Sequence, residues 1–430
     1  MNYEQTCDYL DDLIKSGIKL GLENTSRLLK ALGNPQLKVP TVHIAGTNGK
    51  GSTAIFTESI LRSAGYRTGL YTSPHLLDYR ERIQVNRQEI LPEELAQVAT
   101  CIKEACEQEN IPATYFEVAT AIAFLHFFQS GCEWNIIEVG MGGRLDSTNL
   151  CKAQVSVITS ISKDHESSLG QNLEAIAAEK AAIIKPGGTV LAGKNKPEVC
   201  EVIEAWAREK GCPVEFLGRE FKIRGRTWNG HVQTFDWSSP DLLLEGLEIP
   251  LLGEFQVQNA ALAVAATRQA VKTQEAVLSE HYLRSGLKNA YWPGRMEVVE
   301  TNPIVLLDCA HNPDSVKKLT DSIREHFRFE KSRVILGVMK DKDLPQIAEI
   351  IGSFADEVYI TQPRMERSAD PHNLFKLLQI SNKVIEIIDE IQYALHTAKN
   401  RSGPRDLILV TGSVFTIAEA KQSIEHQKLH

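Results

Sequence analysis

The sequence predicts a two-domain α/β protein built on parallel sheets. A chain of 430 residues is too long for a single hydrophobic core. Strand and helix patterns alternate along almost the whole chain, which is typical of parallel α/β architecture. A second series of alternating elements starts after Pro293 and Gly294, two residues that interrupt regular structure. We therefore predict a large domain over residues 1–293 and a smaller, Rossmann-like domain over residues 294–430.

Short apolar runs predict the buried strands of the first domain. They lie at residues 41–45, 68–72, 135–140, 155–161 and 189–193. Helical periodicity over residues 114–131 and 173–185 predicts helices between these strands. Aromatic and charged residues alternate over residues 219–250, where we predict a small antiparallel segment. A long helix is predicted to resume over residues 258–271.

The second domain repeats the alternation of apolar strand and amphipathic helix. Strands are predicted at residues 304–310, 333–339, 357–362 and 406–413, and helices at residues 315–327 and 344–355. This order of elements favours a second parallel sheet covered by helices.

Composition argues against several classes of partner. The net charge of -8 and the pI near 5.9 give no basic surface overall, so we expect neither a nucleic acid nor an anionic membrane as partner. No stretch approaches the ~20 apolar residues of a membrane span. The eight cysteines are scattered without a C-x-x-C pair, which favours reduced thiols in a cytoplasmic protein.

A glycine-rich turn at residues 42–56, VHIAGTNGKGSTAIF, resembles a phosphate-binding loop. Its glycines allow a tight turn that directs backbone N–H groups to one point, and Lys50 adds a cation for phosphate. Gly51 follows the lysine where the usual pattern has Ser or Thr, and Ser52 is displaced along the helix. A turn without a ligand is the alternative, but the pattern favours a nucleotide. A metal ion would then need ligands from elsewhere in the chain.

Two strand ends offer such ligands. Glu138 and His165 each follow or interrupt an apolar strand, and open α/β sheets bind ligands at the carboxyl ends of their strands. Magnesium prefers oxygen, so by itself His165 is also explained as a loop or helix-cap histidine. A buried carboxylate at Glu138 requires a positive partner, which a metal ion or an arginine would supply.

Motifs spread along nearly the whole chain resemble those of the folylpolyglutamate synthase and dihydrofolate synthase family, within the Mur ligase superfamily of ATP-dependent amide-bond formers. They are AGTNGKGS, TSPHLLDYRERIQVN, TYFEVATAIAF, EVGMGGRLDSTN, EKAAIIKPG, QVQNA, WPGRME, DCAHNPDS, GVMKDKD and VTGS, in that order. The resemblance implies a large Mur-ligase-type ATPase domain with a phosphate loop, followed by a smaller Rossmann-like domain.

The resemblance also implies a set of metal ligands. Ser73, Glu138 and His165 match the family's magnesium ligands. Lys180 matches a lysine that is carbamylated in the family and binds a second magnesium ion. Without the resemblance, Lys180 would be interpreted as a solvated helix lysine.

ATP contacts are implied in both predicted domains. The loop residues are Thr47, Asn48, Gly49, Lys50, Gly51 and Ser52. Asn259 matches a position near the base, Arg295 one near phosphate and Asp308 one near the ribose. His311 matches a residue facing the γ-phosphate, so Lys50, Lys180 and His311 are the implied catalytic residues.

The implied reaction transfers the γ-phosphoryl group of ATP to a substrate carboxylate, and the amine of L-glutamate then displaces phosphate. Thr114 and Asp146 match positions that contact dihydropteroate, and Asp146 marks dihydrofolate synthase activity. Asp146 is equally well explained from the sequence as a turn carboxylate. The implied partners are ATP, L-glutamate and dihydropteroate or a reduced folate, and a monomer is expected.

Four residues depart from the family pattern: Lys163, Ala182, Phe255 and Cys309. Lys163 is the most important, because a cation beside the metal would oppose metal binding unless it points away. Cys309 is expected to be a packed small residue. Two alternatives stay open, a Mur-type ligase for another acid and amino acid, and a nucleotide-binding paralogue that has lost its chemistry.

Overall fold

The computed structural model describes residues 1–15, 17, 21–163, 172–379 and 384–428. The chain forms two compact units. The first contains Met1–Thr227, Thr234–Ile249 and Val257–Ala290, and the second contains Trp228–Gln233, Pro250–Gln256 and Tyr291–His430.

An eight-stranded sheet forms the centre of the first unit. Its strands are β1 (Thr41–Ala45), β2 (Thr68–Tyr71), β3 (Ile83–Val85), β4 (Gln88–Glu89), β5 (Trp134–Glu138), β6 (Ala153–Ile158), β7 (Thr189–Ala192) and β8 (Val214–Phe216). The order is β4-β3-β2-β5-β1-β6-β7-β8, with parallel pairing from β2 to β8 and antiparallel pairing of β3 and β4 at one edge. Strand β1, which precedes the glycine-rich turn, therefore lies between β5 and β6.

The central strands of this sheet, β1, β2 and β5, are buried along their whole length, as expected of parallel strands covered by helices. Nine α-helices are described between Tyr3 and Lys288. They are α1 (Tyr3–Lys15), α2 (Glu23–Ala31), α3 (Lys50–Ser63), α4 (Pro92–Gln108), α5 (Tyr115–Gln129), α6 (Leu173–Ala181), α7 (Pro197–Glu209), α8 (Glu254–Lys272) and α9 (Glu280–Lys288). Helix α5 is buried continuously from Glu117 to Phe127 because it is apolar on nearly every side. The predicted helix over residues 173–185 is shorter than expected, since α6 ends at Ala181 and Pro186 disfavours helical backbone before it.

The predicted antiparallel segment is a three-stranded sheet. Strands β9 (Lys222–Trp228), β10 (Gln233–Ser239) and β11 (Leu242–Ile249) are neighbours in chain order. Their short connections allow only antiparallel pairing, because a parallel pair requires a crossover of about a dozen residues.

The second unit is built on a six-stranded sheet. Its strands are β12 (Glu297–Thr301), β13 (Ile304–Asp308), β14 (Ser332–Leu336), β15 (Glu357–Ile360), β16 (Val384–Ile387) and β17 (Leu407–Thr411), in the order β12-β13-β17-β14-β15-β16. Only β12 pairs antiparallel. The helices are α10 (Pro313–His326), α11 (Leu344–Phe354), α12 (Pro371–Leu378), α13 (Ile391–Arg401) and α14 (Val414–Lys428). The predicted fold class, α/β with two parallel sheets, is confirmed.

Within the described ranges, no helix is both long enough and apolar enough to cross a lipid bilayer.

Candidate active site

The glycine-rich turn is closely packed between β1 and α3. Gly46 and Gly49 both have positive φ angles, +153° and +88°. A Cβ atom on Gly46 would lie 1.8 Å from Thr159 Oγ1, and one on Gly49 would lie 2.3 Å from Asn259 Oδ1. A side chain at either position would therefore displace a neighbour, so the turn requires glycine for both conformation and space.

Hydrogen bonds fix this turn to the segment that follows β6. The backbone N–H of Thr47 donates to Ser160 O at 2.8 Å, and its hydroxyl donates to Ser162 O at 2.9 Å. Asn48 Nδ2 donates to Ser162 Oγ at 3.2 Å, and Asn48 O accepts from Thr159 Oγ1 at 2.7 Å. No sequence motif marks these hydroxyl residues, although they directly follow a buried strand as the candidate metal ligands do. His165, further along the same segment, lies outside the described residues.

Lys50 is the first residue of α3, and its Nζ donates to Thr47 O at 3.2 Å. Gly51 and Ser52 are buried in the first turn of this helix. The first N–H groups of a helix lack intrahelical partners and favour an anion. The turn thus combines a cation with helix N–H groups, the arrangement predicted for phosphate.

Two predicted metal ligands, Ser73 and Glu138, are adjacent. Glu138 ends β5 and is buried, and its Oε2 accepts a hydrogen bond from the backbone N–H of Ser73 at 3.1 Å. In the part of the chain that the structure describes, no three His, Cys, Asp or Glu side chains converge as a metal site. A carboxylate and a hydroxyl are hard oxygen donors, which suits Mg²⁺ rather than a softer metal.

Lys180 lies in the last turn of α6 and is only 4% exposed, so the alternative of a solvated helix lysine is wrong. The segment after Glu138 packs on this helix end. A Cβ on Gly143 would lie 3.1 Å from Lys180 Cα, and Arg144 N donates to Glu179 O at 2.8 Å. Lys180 and Glu138 thus belong to segments in direct contact.

Asp146 is a buried carboxylate that caps a short 3-10 helix, Ser147–Leu150. Its Oδ2 accepts from Met141 N at 2.9 Å, and its Oδ1 accepts from Thr148 N at 3.0 Å. Burial raises the pKa of Asp146, and its hydrogen bonds offset part of that shift. The turn-carboxylate interpretation is therefore correct, and a ligand contact is compatible with it.

An aromatic ring lies beside this carboxylate. A Cβ on Gly140 would lie 2.4 Å from Phe116 Cζ and 3.1 Å from Asp146 Oδ2. Phe116 follows Thr114 at the start of α5, where Thr114 N donates to Glu117 Oε2 at 2.6 Å. Phe116 was not among the residues predicted for the site. Its position two residues after Thr114 was the available signal.

The candidate residues of the second unit lie at the end of β13. Asp308 Oδ2 accepts from Met296 N at 2.9 Å, and its Oδ1 accepts from Ala310 N at 2.8 Å. Burial raises the pKa of Asp308, and the guanidinium of Arg295 offsets part of that shift. His311 Nδ1 lies 2.9 Å from Cys309 O, so Nδ1 carries a proton and donates it to this carbonyl.

The four departures occupy different environments. Lys163 is exposed, Ala182 follows the end of α6, and Phe255 packs against the core of the second unit. Cys309 is buried, and burial raises the pKa of its thiol to about 11, which confirms a packed rather than a reactive residue.

Two family models match the chain, "Mur ligase middle domain" over residues 44–267 and "Mur ligase, glutamate ligase domain" over residues 294–414. The chain is 34% identical over 429 residues to the dihydrofolate synthase/folylpolyglutamate synthase of Bacillus subtilis, covering 98% of this chain and 99% of the relative. It is 35% identical over 422 residues to the Escherichia coli enzyme of the same name, covering 98% and 95%.

Solved structures agree with these matches. Mycobacterium tuberculosis folylpolyglutamate synthase complexed with ADP and AMPPCP superposes with a TM-score of 0.92 at 30% identity, covering 98% of this chain and 99% of that chain. E. coli FolC in complex with DHPP and ADP superposes with a TM-score of 0.90 at 33% identity, covering 100% and 99%. The predicted family and enzyme class, an ATP-dependent ligase, are confirmed. The chain belongs to the dihydrofolate synthase/folylpolyglutamate synthase family of Mur ligases.

Proposed function

We propose that this ligase joins L-glutamate to dihydropteroate, to reduced folates, or to both, through an acyl phosphate. The observation that carries the proposal is the grouping within one unit of the glycine-rich turn, the Ser73–Glu138 pair and the buried Asp146 carboxylate. These features follow β1, β2 and β5, which are neighbours in the sheet and run parallel. The carboxyl ends of parallel strands meet at one edge, where ligands bind.

We propose that residues 1–293 form the ATPase domain and residues 294–430 the glutamate-ligase domain. The matched family models support this division, since the second begins at residue 294. The structural division differs in detail, because the short segments Trp228–Gln233 and Pro250–Gln256 group with the second unit.

The nucleotide is assigned to the glycine-rich turn, Thr47 to Ser52, with Asn259 near the base. In the second unit, Asp308 keeps its proposed role as a ribose contact. Two hydrogen bonds from backbone N–H groups fix the Asp308 carboxylate, so its orientation is defined before it contacts a hydroxyl. Lys50, beside this turn, would neutralise charge on the transferring phosphoryl group.

Magnesium would be held by Ser73, Glu138 and His165, of which the first two provide hard oxygen donors. A bound Mg²⁺ would neutralise the triphosphate and orient the γ-phosphate. We further propose that Lys180 is carbamylated. Its neutral Nζ adds to CO₂ with loss of one proton, which replaces a buried cation by a carboxylate ligand for a second ion.

The acceptor acid is assigned to a site near Thr114 and Asp146. The carboxylate of Asp146 would accept hydrogen bonds from the amino group and ring N–H of a pterin, while the Phe116 ring offers a flat apolar surface. The acceptor carboxylate takes the γ-phosphoryl group and ADP is formed. The amine of glutamate then attacks the acyl carbon, loses a proton and displaces phosphate, leaving an amide.

A monomer in the cytoplasm remains our proposal. It agrees with the cysteines, all eight of which are free thiols in the structure.

A steady-state assay of ADP release tests the function. With ATP, Mg²⁺ and L-glutamate supplied, we expect release to require dihydropteroate or tetrahydrofolate and to yield the glutamylated product by mass spectrometry. Release without any acceptor would identify an ATPase. Release with an unrelated acid but with neither pterin would identify a Mur-type ligase of other specificity.

A further inference from the structure

A buried histidine on β1 is hydrogen-bonded to the turn that carries Asp146. His43 is 0% exposed, and its Nε2 lies 2.9 Å from Thr148 Oγ1. Thr148 Oγ1 in turn donates to Asp146 Oδ1 at 2.5 Å. Because the single hydroxyl proton of Thr148 points to the carboxylate, this hydroxyl accepts from His43, whose Nε2 therefore carries the proton. The result is a chain of hydrogen bonds from His43 through Thr148 to Asp146.

The histidine acts in this chain as a neutral donor. Burial lowers the pKa of His43 to about 3, and the ammonium group of Lys185 contributes to the same shift. Among the described residues, no group hydrogen-bonds to His43 Nδ1, so the ring has one polar contact, which is to Thr148. A neutral N–H that donates to a hydroxyl strengthens the bond which that hydroxyl donates onward.

These hydrogen bonds restrict rotation of the Asp146 carboxylate. Oδ1 accepts from both the N–H and the hydroxyl of Thr148, while Oδ2 accepts from Met141 N. Rotation of the carboxylate would break at least one of these bonds in an environment where Asp146 is only 6% exposed. The orientation of the carboxylate is thereby fixed.

A second buried contact fixes the same turn relative to Thr114. Ser147 Oγ lies 3.0 Å from Thr25 Oγ1, which also donates to Glu117 Oε1 at 3.4 Å. The other oxygen of Glu117 accepts from Thr114 N at 2.6 Å. The two residues assigned to the pterin are therefore connected through the side chains of Thr25, Ser147 and Glu117.

We infer that His43 and Thr148 are positioning residues that hold the Asp146 carboxylate in the orientation that binds the pterin ring of the acceptor. This inference rests on the proposed function, because it requires Asp146 to contact a pterin. The competing explanation is that the pair merely joins β1 to the turn and stabilises the core. The two explanations differ in whether the effect of losing the hydroxyl depends on Asp146.

The test compares Thr148→Val, which removes the hydroxyl at nearly constant volume, with Thr148→Ser, which keeps it. We expect Thr148→Val to raise the KM for dihydropteroate roughly tenfold, as for one lost hydrogen bond to a charged group. We expect kcat and the KM for ATP to change less than about twofold, and Thr148→Ser to retain wild-type values within the same limit. Thr267→Val is the matched control, because Thr267 is also 0% exposed but its hydroxyl donates to a helix carbonyl, Ala263 O.

A double-mutant cycle separates positioning from core stability. In an Asp146→Ala background, Thr148→Val should cause no further rise in the KM for dihydropteroate, because there is no carboxylate left to orient.

A second pair of variants applies if Thr148→Val fails to fold. His43→Leu then replaces Thr148→Val and His43→Gln replaces Thr148→Ser, since the glutamine amide keeps an N–H donor. We then expect the leucine variant to lose dihydropteroate affinity and the glutamine variant to retain most of it.

The inference is overturned if Thr148→Val binds dihydropteroate as the wild type does, or if its effect adds fully to that of Asp146→Ala. Failure of the proposed function would be seen in the wild-type enzyme rather than in the variants. The wild-type enzyme would then use neither dihydropteroate nor tetrahydrofolate, and the inference would fall with it.

Discussion

The backbone N–H of Ser73 donates to Glu138 Oε2 at 3.1 Å, joining the segment after β2 to the end of β5. These residues are distant in sequence and adjacent only because β2 and β5 are neighbours in the sheet. The pair places a hydroxyl-bearing residue beside a buried carboxylate, next to the strand that leads into the phosphate loop.

Glu138→Gln removes the charge of this carboxylate while keeping an oxygen that accepts from Ser73 N. We expect ADP release to fall at least about a hundredfold, as for loss of a charged group that acts on the transition state. The thermal midpoint should change little. The measurement is ADP release over a range of Mg²⁺ concentrations. Glu133→Gln, at an exposed position just before β5, is the control and should remain active. Full activity of Glu138→Gln would show that Glu138 is not a metal ligand.

Lys180→Ala should abolish turnover, because the variant lacks the nitrogen that would carry a carbamate. Short carboxylic acids added to the assay should restore part of the activity by entering the vacated space. Lys194→Ala, at an exposed lysine, should behave as the wild type with and without added acid. An active Lys180→Ala variant would show that no carbamate is required.

Asp146→Ala should impair the use of dihydropteroate more than the use of tetrahydrofolate. The physical reason is that a folate has a glutamyl tail that provides additional contacts, whereas dihydropteroate depends more heavily on the ring. Comparison of kcat/KM for the two acceptors is the measurement. An equal loss on both acceptors would assign Asp146 a structural role only.

Gly49→Ala should weaken ATP use through two separate effects. The φ of +88° is strained for any side chain, and the new Cβ would lie 2.3 Å from Asn259 Oδ1. Gly65→Ala is the matched control, because Gly65 has a φ of +93° but no atom within 4 Å of its Cβ. We expect Gly65→Ala to lose ~1–2 kcal/mol of stability from the strained φ alone. Gly49→Ala should lose more because of the added clash, and only Gly49→Ala should raise the KM for ATP. An unchanged KM for ATP in Gly49→Ala would show that the turn does not take part in nucleotide binding.

His43 predicts a specific dependence of stability on pH. Burial lowers its pKa from an ordinary 6.5 to about 3. The native protein therefore stays neutral at His43 while the unfolded chain takes up a proton below pH 6.5, so this stabilisation is present above that pH and is lost on acidification. Between pH 7.5 and pH 5 we expect His43 to account for a loss of ~2 kcal/mol. Urea unfolding at the two pH values should show a smaller loss for His43→Gln. Equal losses of unfolding free energy in both proteins would contradict the lowered pKa of His43. The raised pKa of Asp146 has the opposite effect on stability: its protonation at lower pH favours the native protein.

Much of the fold was predictable because the patterns are local. The apolar runs at β1, β5 and β13 and the glycine-rich turn are each readable from a few consecutive residues. The candidate ligands Glu138 and Ser73 could be proposed separately, one from its strand and one from the resemblance.

Their adjacency could not be predicted, because it depends on the order β2-β5-β1, which no local pattern encodes. The contact between His43 and Thr148 was missed for the same reason, since 105 residues separate them. The grouping of Trp228–Gln233 with the second unit is also a tertiary property, as this hairpin tip lies between two strands of the first unit's small sheet.

The bonds from Thr47 and Asn48 to the segment after β6 have a thermodynamic consequence. They run within the chain, so the turn loses its conformational freedom when the sheet folds rather than when a triphosphate binds. If the turn binds the nucleotide as we propose, nucleotide affinity depends on the local integrity of β6. Mild denaturant or heat that loosens this strand would then weaken ATP binding before the protein as a whole unfolds.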